Sequence, residues 1–175
     1  MKGILCSVLA LLIFSLHASS QIQFIVYPDS VHQGFKVYKG ILEKDILLKD
    51  TSFHWYAENQ KGYSPLTNAV DGLRKNKDSI ELVVFMGTWC DDSHFVIPKM
   101  YKLAEVSGFD NKRITLIGTD RYKKTISHLS EAMNIVNVPT IIIMKNGKEM
   151  GRVVEYGKYG MYDKELAEIL TTSGQ

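Results

Sequence analysis

The sequence predicts a mixed α/β sandwich, and three observations carry that expectation. Residues 80–86 and 113–118 are short apolar runs, as in strands buried on both faces. Segments with apolar residues at helical spacing alternate with them. The run 139–144 is followed by Asn146-Gly147, which supplies the positive φ angles of a type I′ turn, and residues 148–155 return as a second strand. Strands alternating with helices and ending in a hairpin give the sandwich. Its 175 residues, 45% hydrophobic and 23% charged, suit one globular domain with an extension. A net charge of +2 gives no support to a nucleic-acid partner.

The chain opens on a targeting pattern. Lys2 precedes an apolar run over residues 3–16, and the small residues Ala18, Ser19 and Ser20 follow. Residues 1–20 therefore read as a secretory signal peptide, and export to the periplasm or the extracellular space is expected. The run is shorter than the roughly 20 residues of a membrane span, so no stable span is expected in the mature form. A lipidated cysteine would close such a run, whereas Cys6 opens it. Cleavage removes Cys6 and leaves Cys90 as a single thiol in an oxidising compartment, where paired cysteines are the norm.

Residues 21–61 read as an N-terminal extension. Residues 22–27 suit a short strand, 37–48 are apolar at mixed spacing, and Asp50 or Thr51 suits the cap of a short helix through Phe53, Trp55 and Tyr56. Residues 62–175 form the main unit. Ser64 as N-cap and Pro65 at the first helical position start a helix whose stripe is Leu66, Ala69, Val70 and Leu73, ended by the polar run 74–79. Further helices are expected from Cys90 to about residue 107, interrupted by Pro98, over 125–133 with Ile126, Leu129 and Met133 on one side, and over 161–170. Short basic clusters such as Arg121-Tyr122-Lys123-Lys124 read as solvated surface, and Tyr156, Tyr159 and Tyr162 as packing around Gly157 and Gly160.

Chemistry concentrates at the junction between the 80–86 strand and the helix that begins at Cys90. Unpaired N–H groups at a helix N-terminus favour a thiolate over a thiol, which makes a cysteine placed there nucleophilic. There is no P-loop, GxGxxG fingerprint, GxSxG elbow or HExxH pair, so nucleotide enzymes, serine hydrolases and zincins have no motif here. Cys90, Asp91, Asp92 and His94 sit too close in sequence to converge on a metal, so neither metal nor cofactor is expected.

The same stretch resembles the active-site motif of the thioredoxin superfamily. Trp89-Cys90-Asp91-Asp92-Ser93 stands where that family has Trp-Cys-x-x-Cys, a CxxS variant. Pro98 matches the proline that kinks the active-site helix, Val138-Pro139-Thr140 the cis-proline loop, and Lys145-Asn146-Gly147-Lys148 the following hairpin. The resemblance covers residues 62–175 and fits secreted, periplasmic bacterial relatives with an N-terminal extension. It implies a thioredoxin-like sandwich, a central mixed β-sheet flanked by helices, with protein or low-molecular-weight thiols and disulfides as partners. By the same resemblance Cys90 is the reacting thiol; in an exchange reaction there Trp89 would shield and orient the sulfur, and Ser93 could hydrogen-bond the thiolate. Val138, cis-Pro139 and Thr140 would face the cysteine and meet substrate.

Departures from the family pattern narrow the chemistry. Ser93 replaces the resolving cysteine, and a hydroxyl cannot release a mixed disulfide. Val84 and Leu116 stand where relatives bury an acid and a lysine beneath the cysteine pair. Asp91 and Asp92 each disfavour a thiolate by about 1 kcal/mol at ~7 Å and an effective dielectric of ~40, comparable with what a helix terminus contributes. His94 would offset them if protonated and turned towards the sulfur. Two function classes follow: thiol/disulfide exchange of oxidoreductase or isomerase type through one thiol, or a non-catalytic binding or scaffold module with Cys90 vestigial.

Overall fold

The computed structural model describes residues 23–172. The expected signal peptide, with Cys6, lies outside them. Six strands form one sheet: β1 (Phe24–Pro28), β2 (Lys36–Leu42), β3 (Glu81–Met86), β4 (Ile114–Gly118), β5 (Thr140–Lys145) and β6 (Lys148–Val154), in the order β1-β2-β4-β3-β5-β6. Only the β3–β4 pair is parallel, so the sheet is mixed. The helices are α1 (Lys44–Lys49), α2 (Trp55–Gln60), α3 (Thr67–Asn76), α4 (Asp91–Ser107), α5 (Leu129–Ala132) and α6 (Tyr162–Thr172). None of the described helices is long and apolar enough to cross a membrane.

Alternation along the central strands builds two cores. Leu82, Val84, Met86, Leu116, Ile141 and Ile143 face one side, where they join Leu73 of α3, Ile97 and Leu103 of α4 and Leu166 of α6. Phe85, Ile117 and Ile142 face the other side with Val138, against the partly buried Trp89, Leu129 and Met133. Full burial of each large aliphatic side chain contributes roughly 1.5–3 kcal/mol, so the two cores fix the sheet between its helices. Val84 and Leu116 are part of the first core, at 0% and 1% exposure.

The extension forms one end of this sheet. The mixed-spacing run 37–48 divides between β2 and α1, and β2 pairs antiparallel with β4 in the register Gly40 to Gly118. A side chain at either glycine is excluded. A Cβ on Gly40, whose φ is +129°, would collide with the Gln23 carbonyl oxygen, and one on Gly118 with that of Tyr38. Close approach of three neighbouring strands therefore depends on two glycines.

Three local expectations are corrected. Helix α3 starts at Thr67 with Leu66 as N-cap, not at Ser64-Pro65. The reason is Asp163 at the start of α6: its carboxylate accepts the Leu66 N–H at 3.2 Å and the Tyr63 hydroxyl at 2.9 Å. The helix expected over 125–133 is broken. Ser127 and His128 both have φ of +53°, which an α-helix does not tolerate, leaving a 3-10 turn over Ile126–His128 and the single turn α5. Thr125 ties the start of this segment to the sheet by donating to the Gly118 carbonyl at 2.8 Å. Asp50 is a cap, but of the 3-10 turn Thr51–Phe53 that precedes α2.

Candidate functional site

Strand β3 delivers the chain through Gly87 and Thr88 to Trp89 and Cys90, and Cys90 is the N-cap of the 17-residue α4. Its side chain makes no capping bond. The thiol donates instead to the Val138 carbonyl at 3.3 Å. Val138 precedes Pro139 across a cis peptide bond. Cys90 is half-buried and is the free cysteine among the described residues.

Ser93 is fully buried, and its Oγ accepts the Gly87 N–H at 3.1 Å. Ser93 Oγ thus ties the first turn of α4 to the backbone that leads into the loop. Val138, Pro139 and Thr140 are all buried; Thr140 is paired inside the sheet with Phe85 and Val154 and donates to the Asn137 carbonyl at 2.7 Å. Trp89 is half-buried, and its indole N–H donates to the Thr119 carbonyl at 2.8 Å. Sequence expectation and structure therefore bring Trp89, Cys90 and Val138 together. Ser93 and Thr140 support this group from beneath.

His94 corrects its expectation. Its Nε2–H donates to the Thr88 carbonyl at 2.8 Å, Nδ1 lies 3.7 Å from Asp91, and the ring stacks on Trp55 at 4.2 Å and 13°. Burial pushes its pKa below the ordinary 6.5, so near neutral pH the ring is uncharged and supplies no cation to the sulfur. An unfolded histidine gains its proton near 6.5 and the folded one only at lower pH. Unfolding therefore takes up a proton in between, and stability falls as the pH drops from 6.5 through the folded value. Urea midpoints across that interval should decrease with acidification. The His94→Gln variant should lose this share of the slope, and an unchanged slope in the variant contradicts the assignment.

The two carboxylates after Cys90 are not equivalent. The Asp91 side chain is 96% exposed, so solvent screens its charge. Asp92 accepts the Tyr156 hydroxyl at 2.7 Å, and burial together with that bond raises the Tyr156 pKa to about 12. Tyr156 also packs edge-on against Phe95 at 5.3 Å, so the expected packing role is accompanied by a polar one at the site.

Sequence reasoning missed Thr88 and Arg121. Thr88 is fully buried and bound twice to β2: its hydroxyl donates to the Lys36 carbonyl at 2.8 Å and accepts the Tyr38 N–H at 3.1 Å. Arg121, read as solvated, lies with its guanidinium carbon 5.2 Å from the Trp89 ring centroid. The partners are 50 to 52 residues away in one case and 32 in the other, beyond any local pattern. A cavity of about 190 Å³ opens beside Trp89 between His32, His54, Trp55 and His94. A larger hollow of about 550 Å³, against β1, β2 and α1, has none of the thiol-site residues in its wall. No three His, Cys, Asp or Glu side chains among the described residues are grouped to hold a metal ion.

A mixed sheet between helices, with a cysteine at the N-cap position of the helix after a central strand and its thiol donating to the Val138 carbonyl, defines a thiol-bearing protein of thioredoxin-like class. A family model described as thioredoxin matches residues 49–172, and the chain belongs to the thioredoxin family. It is similar to the chloroplastic thioredoxin Y of Oryza sativa, 29% identical over 49% of this chain and 48% of that one, so the match spans about half of that relative's length. A thioredoxin of Alicyclobacillus acidocaldarius is 25% identical over 53% of this chain and 84% of that one, and thioredoxin-2 of Saccharomyces cerevisiae 27% over 48% and 75%. A Pseudomonas aeruginosa protein of unknown function shares the fold, with a TM-score of 0.51 and 13% identity over 71% of this chain and 87% of that one.

Proposed function

We propose that this protein exchanges thiols and disulfides through one sulfur, that of Cys90. The supporting observation is the placement of that thiol, half-buried at the N-cap of α4 and 3.3 Å from the Val138 carbonyl, with buried Ser93 at the partner position. In the first step the Cys90 thiolate attacks one sulfur of a disulfide R–S–S–R′. A Cys90–S–S–R bond forms, R′–S⁻ leaves and takes up a proton, and no net oxidation occurs. A second thiol, from outside or from the same substrate, then attacks the mixed disulfide and restores Cys90. Ser93 carries no sulfur and cannot perform this step. Protein or low-molecular-weight thiols and disulfides are the partner class.

Incubation with a peptide disulfide, read by intact mass, tests the proposal. One adduct per chain is expected, absent in Cys90→Ala. Partner capture that is equal in wild type and Cys90→Ala, with no adduct in either, would sink the exchange reading and leave a binding module.

We further propose export, on the signal-like order of Lys2, the apolar run 3–16 and Ala18-Ser19-Ser20. The chain recovered from outside the cytoplasm should begin at Gln21. Retention of the uncut chain in the cytoplasm would overturn this.

A further inference from the structure

We propose that Asp29 and Arg121 are positioning residues for the thiol site: a carboxylate from the extension holds the Arg121 guanidinium over Trp89 and so fixes the loop that presents Cys90. Asp29 follows β1 directly and lies outside the residues the family model matches. Its side chain is 0% exposed, and its two oxygens accept from Arg121 Nε at 2.8 Å and Nη2 at 2.6 Å. This bidentate grip sets the plane of the guanidinium. The guanidinium carbon then lies 5.2 Å from the Trp89 ring centroid, within the range of a cation–π contact.

The Arg121–Asp29 pair is fixed at both ends. The Val31 N–H donates to Asp29 Oδ1 at 3.1 Å, and His32 Nδ1 lies 3.0 Å from Arg121 Nη2. Arg121 follows Asp120, whose carboxylate is paired with Lys39 of β2 at 2.7 Å and accepts the N–H groups of Tyr122 and Lys124 at 2.9 Å. The segment that carries the arginine is thus anchored to β2 as well. The indole N–H of Trp89 is fixed from its edge by the Thr119 carbonyl, two residues before Arg121. Cys90, next in sequence, inherits its position from this ring. Chemistry in the family unit therefore depends on a charge pair that the extension completes.

Removing Arg121 alone would leave a buried, unpaired carboxylate, a change that unfolds many proteins. The decisive variant is consequently Asp29→Asn combined with Arg121→Ala, which removes both charges together. All chains carry Trp55→Phe, so that emission reports Trp89 alone. Relative to the parent, the double variant is expected to fold and yet show about twofold stronger acrylamide quenching of Trp89 and about fivefold slower adduct formation with a peptide disulfide. Unchanged quenching and an unchanged rate would overturn the proposal and make the pair purely structural. If the double variant does not fold, Arg121→Lys decides: an ammonium keeps the charge but not the planar fork, so Trp89 should again be more quenched, and parental quenching overturns the proposal. The rate readout rests on the exchange reading. A parent that forms no adduct would fail that reading alone, because quenching tests the positioning independently.

Discussion

On the proposed exchange reading, Ser93→Cys is expected to turn a mixed disulfide that persists on Cys90 into one that the protein itself releases. With a thiol at residue 93, the Cys90–S–S–R adduct is attacked from within the same helical turn. The products are an internal disulfide between residues 90 and 93 and the free thiol of the substrate, which has gained the two electrons the protein has lost. An intramolecular partner shortens the adduct lifetime by about a hundredfold or more, since effective concentrations in such closures far exceed those of free thiols. The replacement costs some stability, about 1 kcal/mol, because a thiol is a poorer acceptor for the Gly87 N–H that Ser93 Oγ accepts at 3.1 Å. Quenched-flow trapping followed by mass measurement reads the lifetime directly. An adduct as persistent in Ser93→Cys as in wild type would mean that residue 93 is not in line with the Cys90 sulfur.

Asp163→Ala is expected to have the largest effect on stability away from the thiol. The Asp163 side chain belongs to a residue 5% exposed and ties the start of α3 to α6 through the Leu66 N–H and the Tyr63 hydroxyl. Alanine leaves the Leu66 N–H without its acceptor in a partly buried place and the Tyr63 hydroxyl with the Tyr162 hydroxyl, 2.9 Å away, as its remaining partner. Unfolding free energy should fall by about 3 kcal/mol, with Asp163→Asn losing less because an amide oxygen still accepts. Urea titrations of the two variants check this. Equal and small losses would show that water replaces the carboxylate at no cost.

The same residue explains what could be read from the sequence and what could not. Strands β3, β4 and β5, helix α4 and the Asn146-Gly147 hairpin were legible because their determinants are local: continuous apolar runs, a helical stripe, a dipeptide that accepts positive φ. The start of α3 was not. Ser64 and Pro65 form a sound local cap signal, yet the Leu66 N–H bonds to a carboxylate 97 residues away, and that contact sets the boundary. The break at Ser127 and His128 was not legible either, since the apolar spacing of Ile126, Leu129 and Met133 is helical while the backbone between them is not. At the thiol, Trp89 and Cys90 were legible from their order alone. The charge of His94 depends on Trp55 and Thr88, and the place of Arg121 depends on Asp29, 92 residues away, so neither has a local signal.

The chemistry proposed for this protein runs on one thiol. The most direct test follows the wild-type protein after reaction with glutathione disulfide, once excess reagent is removed, with intact mass recorded over hours and then after addition of a free thiol. One glutathione adduct on Cys90 is expected, persisting until the thiol is added and then released. An adduct that disappears without any added thiol, or a protein that never acquires one, would contradict it.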